Sequence, residues 1–430
     1  MPETLFKADV SKPMQDQEVP GHNRWHPDIP AAALTDPGTD FRIECLDWTN
    51  LQVRNDDSAD DIRDIDLTPC HVLSGPIHVN GAEPGDILVV DILDMGPPTG
   101  PGEQWGYTGI FSKQNGGGFL TDVYPEAHKA IWDLRGLYAT SRHVPDVEFV
   151  GIRHPGLIGC APSHDLLARW NRREQALIDT DPDRVPPLAL PPLPQNALLG
   201  TLSGSEFERA AGEACRTIPP REHGGNVDIK DLTIGSRIYF PVYVDGAKLS
   251  MGDLHFSQGD GEITFCGAIE MSGYIDLGVE LIKGGMEKYR LNRPTHMPIF
   301  ELSHLQPRYA SFLVFEGVGV SEDDTQHYLD LTVAYRQACL NAIEYLKTCG
   351  YTDEQAYIII GTAPIEGRVS GIVDIPNACV SIYLPTEIFK RPVVPQDVPT
   401  RVVHEAQTPH APGEPQINLT QVQVREAPST

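Results

Sequence analysis

Paired cysteines, basic residues and long apolar runs are all scarce in this chain. Its eight cysteines (Cys45, Cys70, Cys160, Cys215, Cys266, Cys339, Cys349 and Cys379) are scattered, and none forms a C-x-x-C pair. The opening stretch "MPETLFKADVSKPMQDQ" is polar and has no apolar core, so export is not expected. Free thiols in a reducing, cytoplasmic compartment are the expectation that follows. No run approaches membrane-spanning length. Only 33 basic residues stand against 60 acidic ones, a net charge of −27. Such a chain repels phosphate backbones and anionic lipid, so neither nucleic acid nor a membrane is an expected partner. A neutral or cationic small substrate is compatible with the charge, which is equally explained by solubility alone.

Familiar catalytic signatures are missing too. There is no G-x-x-x-x-G-K-S/T loop, no G-x-S-x-G elbow and no H-E-x-x-H helix. "GVGVSE" at Gly317 is not a dinucleotide fingerprint. Nucleotide cofactors are therefore not indicated.

What is present is a globular composition over 430 residues, with 40% hydrophobic and 22% charged residues. The 38 prolines and 39 glycines separate short β-branched runs, which favours many short strands over long helices. The expected fold is mainly β with some helix (α+β), with antiparallel hairpins in sandwich-like or barrel-like sheets. "HVLSGPIHVNGAEPGDILVVDIL" (His71–Leu93) and "LTIGSRIYFPVYVDGAKLSMGDLHF" (Leu232–Phe256) both read as strand, turn, strand. Their shared Gly-Ala turn and Gly-Asp step fit either a faint duplication or ordinary hairpins. Apolar residues at Leu331, Ala334, Ala338, Ala342 and Leu346 predict a helix in the C-terminal third, stopped by Gly350. A second helix is predicted over Ser163–Glu174 with Ser163 as N-cap. "RVPPLALPPLPQNA" (184–197) must be extended or looped, and is a candidate join between two lobes. The acidic run Asn55–Asp66 lacks EF-hand spacing and reads as a solvated loop. From about residue 391 the chain turns polar, giving a main body of 1–390 and an extended C-terminal arm, 391–430.

The most informative stretch is "LSMGDLHFSQGDGEITFCGAIEM", Leu249–Met271. Asp260-Gly261 is a strong two-residue hairpin turn. Pairing outward from it sets His255 opposite Cys266 and Asp253 opposite Ala268. One face then collects Asp253, His255, Ser257, Glu262, Thr264, Cys266 and Glu270, while the other collects Leu254, Phe256, Ile263, Phe265, Ile269 and Met271. A polar face is what any half-buried hairpin presents to water. This one, however, offers carboxylates, an imidazole and a thiol with no lysine or arginine. Asp253-x-His255 sets two metal-ligand types on one side, about 7 Å apart at Cα, close enough to converge on a metal or a reacting carbonyl.

Other candidates are less specific. In "REHGGNVDIKDL", Asn226 can hold a carbonyl and Asp228 can be ligand or base, or both can form an Asx-turn. His71 opens an apolar run and reads equally as structural. His22 and His26 are four apart, but Pro27 spoils the helical zinc pattern. Cys160 in "HPGLIGCAPS" sits among small residues, either near an oxyanion or in a plain tight turn.

These blocks together, "GPIHVNGAEPGDILVVDIL", "HPGLIGCAPS", "PPREHGGNVDIKDL" and "GDLHFSQGDGEITFCGAIEM", resemble the acetamidase/formamidase family. With "GHNRWHPDIP" and "VDIPNACVSIYLP" added, the chain looks most like the family's fungal-type formamidases over roughly residues 1–390. The resemblance implies a β-rich fold with some helix, a homo-oligomer, and hydrolysis of small aliphatic amides, formamide to formate and ammonia. Zinc is associated with some similar proteins. Carried over onto this chain, the motif positions are Asp253, His255, Glu262, Asn226, Asp228 and His71. Two mechanisms follow as expectations. In one, Asp253 and His255, with His71 or Asp228, hold a divalent metal, with zinc the expected ion, and Glu262 serves as general base. In the other, Cys266 attacks as a thiolate activated by His255. A metal-binding or small-molecule-binding β-protein without catalysis is the alternative in another class.

Overall fold

The computed structural model describes residues 2–100, 104–180, 192–298, 309 and 311–395. The expected arm falls almost wholly outside the described residues, and the proline-rich 184–197 segment is described only from residue 192. The sheets and helices all belong to one unit, Met1–Val393.

Strands dominate, as the proline and glycine punctuation predicts. Ten strands form one sheet and six another. The apolar core between them draws Ile77, Leu249 and Leu254 from the larger sheet and Val90, Ile238 and Leu277 from the smaller. The two strand-turn-strand blocks are strands, but they are not hairpins. Ser74–Val79 joins the larger sheet beside Leu249–Gln258, whereas Ile87–Gly96 joins the smaller one beside Arg237–Pro241. Each block therefore crosses from one sheet to the other, and the two blocks pair with each other. The physical reason is packing: Ser74–Val79 and Leu249–Gln258 are buried along almost their whole length and Ile87–Gly96 along most of it, so long-range neighbours, not the local turn, choose their partners.

The helices follow the local signals closely. Asp330 accepts from the N–H groups of Thr332 and Val333 at 2.9 and 3.0 Å and starts the helix Leu331–Thr348. Gly350, at φ +90°, ends it. Ser163 Oγ accepts from Leu166 N at 3.2 Å and starts His164–Thr180, which runs beyond the expected Glu174.

The Leu249–Met271 stretch is a hairpin with a different register. His255 pairs with Glu270, Leu254 with Met271 and Gln258 with Ala268. The strands are Leu249–Gln258 and Phe265–Met271, so the connection is longer than a two-residue turn. The tip is held from outside. Gly259 N donates to Gly361 O at 2.6 Å, Lys230 Nζ meets Asp260 Oδ1 at 2.6 Å, and the hydroxyls of Tyr335 and Tyr357 bond the carbonyls of Asp260 and Ile263. These partners override the Asp-Gly turn preference.

Nor does the polar face meet water. Every residue of Leu249–Gln258 is buried. The segment around Trp48, Ile62, Ile65 and Leu67 covers that face and packs on Cys266. The acidic run is thereby anchored and is not a loose solvated loop. Lys129 Nζ, almost wholly buried, lies 2.8 Å from both Asp56 and Asp61 and donates to Arg54 O at 3.1 Å.

Candidate active site

Strand geometry at the hairpin is deliberately irregular. Asp253 has φ +54°, rare for a strand residue, and Glu262 and Phe265 have φ +46° and +83°. Phe265 thus leaves the expected apolar face and stacks on Phe111, ring centroids 4.5 Å apart. Asp253 Oδ1 and Glu270 Oε2 each lie 3.1 Å from His255 Nε2. The ligand atoms of Asp228, Asp253 and His255 fall within 4.8 Å of one another, and so do those of His255, Glu262 and Glu270. The sequence thus named four of these five residues as site candidates. Glu270 stood on the predicted polar face without a role.

A cavity of about 240 Å³ opens beside the cluster. Asn226, Asp253 and Glu262 supply its polar lining, and Trp48, Phe119 and Phe265 its walls. His71 lines it as well, its ring 5.0 Å from Trp48 and its Nδ1 3.3 Å from Thr217 Oγ1. It lies outside both of these groups of ligand atoms. Asn226 Nδ2 donates to Ile218 O at 3.1 Å, and its carbonyl oxygen is buried without a hydrogen bond.

Electrostatics follow from two buried carboxylates, Asp253 and Glu270, and two half-buried ones, Asp228 and Glu262, around one imidazole. Burial pushes Asp228 up to about 7 and Glu270 up to about 8, while burial and then the charge of Asp228 raise Glu262 well above the usual range. Burial opposes ionisation of Asp253 too, but the neighbouring His255 outweighs it and the pKa falls to about 2. His255 is raised despite its burial, by Glu270 and Asp253. Burial lowers His71 to about 4, so it is neutral at pH 7.

Several oxygens in this cluster lack hydrogen bonds: Asp228 Oδ1, Asn226 Oδ1 and both oxygens of Glu270, whose contact with His255 is an ion pair without hydrogen-bond geometry. Buried acceptors left this way cost roughly 1–3 kcal/mol each, more when charged. A cation would satisfy them, and oxygen with imidazole donors suit a divalent metal. Two glycines make the crowding feasible. A Cβ on Gly156 would stand 2.5 Å from His255 Cε1, 2.6 Å from Asp253 Oδ2 and 2.8 Å from Asp228 Oδ1. One on Gly267 would stand 2.6–2.7 Å from Glu262. Sequence reasoning missed both; the H-P-G triplet at His154 was the available signal.

Cys266 does not fit a nucleophile. It pairs with Gly109 instead of His255 and is wholly buried among Ile62, Tyr107 and Phe111. Burial, then Glu270, raises its thiol well above the ordinary value. Cys160 is likewise buried, and burial raises its thiol.

The second histidine group, His26 with His164 and Glu213, also meets the distance test for metal ligands. Its hydrogen bonds argue otherwise. Asp28 N donates to His26 Nδ1 at 3.1 Å, so the proton of the neutral ring sits on Nε2 and is given to Glu213 Oε1 at 2.9 Å. Arg209 already bridges Asp28 and Glu213, at 2.6 and 2.5 Å. His22 is fixed between Arg24 O and Ser250 Oγ, both at 2.7 Å.

Comparison with known proteins agrees with the motif resemblance. The profile of the Acetamidase/Formamidase family matches residues 7–391. A formamidase from Methylophilus methylotrophus is 61% identical over 392 residues, 91% of this chain and 95% of the relative. An acetamidase from Mycolicibacterium smegmatis is 64% identical over 373 residues, 85% of this chain and 91% of the relative. The solved structure of a gamma lactamase from Delftia acidovorans has 57% identity and a TM-score of 0.88, over 92% of this chain and 95% of its own. The chain belongs to the acetamidase/formamidase family.

Proposed function

We propose that this chain hydrolyses small aliphatic amides, with formamide cleaved to formate and ammonia. The observation that carries the reading is the set of unsatisfied carboxylate and amide oxygens around His255, beside a cavity of about 240 Å³. The formamidase and acetamidase relatives support it.

Asp228, Asp253 and His255, with Glu270 alongside, would hold a divalent metal, zinc by the chemistry of nitrogen and oxygen donors. When bound, that ion supplies Lewis acidity and a water of lowered pKa. Glu262 lines the cavity and is the group placed to take a proton from water and return it to the leaving amine. Asn226 orients the amide through its polar end, and neutral His71 borders the same space. Trp48, Phe119 and Phe265 exclude bulk water from the reacting carbonyl. The test is ammonia release from formamide, before and after chelation and with zinc restored. Full turnover in metal-free protein would end the metal version. Normal turnover in Cys266→Ser would dismiss the thiol.

A second reading concerns substrate size. A cavity of about 240 Å³ is larger than so small a molecule as formamide needs. Its apolar walls suit acetamide or a cyclic amide, and the Delftia acidovorans relative is a lactamase. The ratio of kcat/KM for formamide, acetamide and a five-membered lactam decides between them.

The same proposal takes residues 1–390 as the catalytic unit of a cytoplasmic homo-oligomer, with 391–430 as an arm. All eight cysteines are free, in keeping with a reducing compartment. Deleting 400–430 and weighing the particle in solution tests the arm.

A further inference from the structure

Gln258 lies deep in the molecule, 1% exposed, three residues beyond His255. On a regular strand those two side chains would point to opposite faces. They do not here, because the pairing steps from His255–Glu270 to Gln258–Ala268, three residues on one strand against two on the other. This bulge turns Gln258 onto the face of His255.

The orientation of its amide is settled by its neighbours. Gln258 Nε2 donates to the backbone carbonyl of Asp228 at 2.9 Å. A carbonyl only accepts, so the other end of the amide, Oε1, faces His255 Nδ1 at 2.9 Å. His154 stands behind it. Its Nδ1 donates to Ile152 O at 2.7 Å, so Nε2 of the neutral ring accepts; it lies 3.2 Å from His255 Nδ1 and 3.1 Å from Gln258 Oε1, and the His255 Nδ1 proton is shared between those two acceptors. Two acceptors thus converge on His255 Nδ1, and that nitrogen carries a proton. Nε2 faces acceptors too, Asp253 Oδ1 and Glu270 Oε2 at 3.1 Å, so without a metal both nitrogens carry a proton; a metal would displace the Nε2 proton alone, the one directed at the carboxylates.

We propose that Gln258 is a positioning residue: it locks the His255 tautomer that presents Nε2 to a metal, and ties that ring to the Asp228 backbone. The proposal rests on the metal reading above and adds to it the device that selects the ligating nitrogen. At the His26 group the polarity is reversed, since a backbone N–H faces Nδ1.

The test compares zinc affinity of the full chain, by chelator competition, in wild type, Gln258→Met and Gln258→Glu. Methionine keeps the length and removes both polar ends. Glutamate keeps the acceptor for His255 and cannot donate, when ionised, to Asp228 O. The expected result is a loss of about 10–100-fold in zinc affinity for Gln258→Met, most of it regained in Gln258→Glu. Histidine ¹⁵N shifts of the zinc-loaded proteins should show His255 protonated at Nδ1 in wild type and Gln258→Glu, and that signature disturbed in Gln258→Met. Wild-type affinity in Gln258→Met overturns the tautomer lock alone. Equal losses in both variants overturn it too, by assigning the effect to the Asp228 tether. Wild type that binds no zinc overturns the metal reading along with it. Melting curves of the zinc-free forms identify a variant that fails to fold, and the other variant then decides.

Discussion

The groups around His255 and around His26 contain the same residue types and both bring three ligand atoms within 4.8 Å. One is a candidate for chemistry and the other is finished structure. At His26 both ring nitrogens have partners, and Arg209 already supplies the cation. At His255 four carboxylates share one ring, and oxygens remain unsatisfied. Distance alone does not separate the two. The direction of the hydrogen bond at the second ring nitrogen, and the charge left over, do.

The contrast can be broken most severely at the first group. Asp253→Asn should lose bound zinc and ammonia release together, while Glu213→Gln at the second group should change neither; metal analysis and an ammonia assay read both. Equal losses would erase the distinction. Next in size, Glu262→Gln should keep its zinc and lose about 10²–10⁴-fold in kcat, as expected for a proton-transfer group. A variant that instead loses zinc would make Glu262 a ligand. Gly156→Ala should weaken zinc binding and cost about 1–3 kcal/mol in stability, because the added methyl meets His255, Asp253 and Asp228 at once. Unchanged melting and affinity would show that the cluster yields easily.

The smallest effect belongs to His26. Burial holds it below its ordinary 6.5, with Glu213 pulling the other way. The unfolded ring takes up a proton that the folded one refuses, so stability is full above about pH 6.5 and falls as pH drops below it. Between pH 8 and 5 the melting temperature of wild type should fall about 1 °C more than that of His26→Asn. Parallel curves would place the acid loss elsewhere.

Much of this was legible in the residues. The capped helix at Leu331 follows from Asp330, a 3.6-residue apolar period and Gly350, all of them local. The strands at Ser74 and Ile87 were legible as strands, but their partners were not, because pairing depends on residues far along the chain. Asp253, His255, Glu262 and Asp228 were legible because ligand types recur in two short blocks. Glu270 remained without a role, since the turn-based register set His255 opposite Cys266.

Composition and alternation act over a few residues, and they suffice to specify a β-rich acidic protein with carboxylates and a histidine concentrated in one hairpin. That the hairpin is buried, that a bulge aims Gln258 at His255, and that the His26 ring is satisfied emerge from long-range packing. Those outcomes depend on which distant groups cover each face and which donors meet each lone pair, and neither is encoded in local spacing.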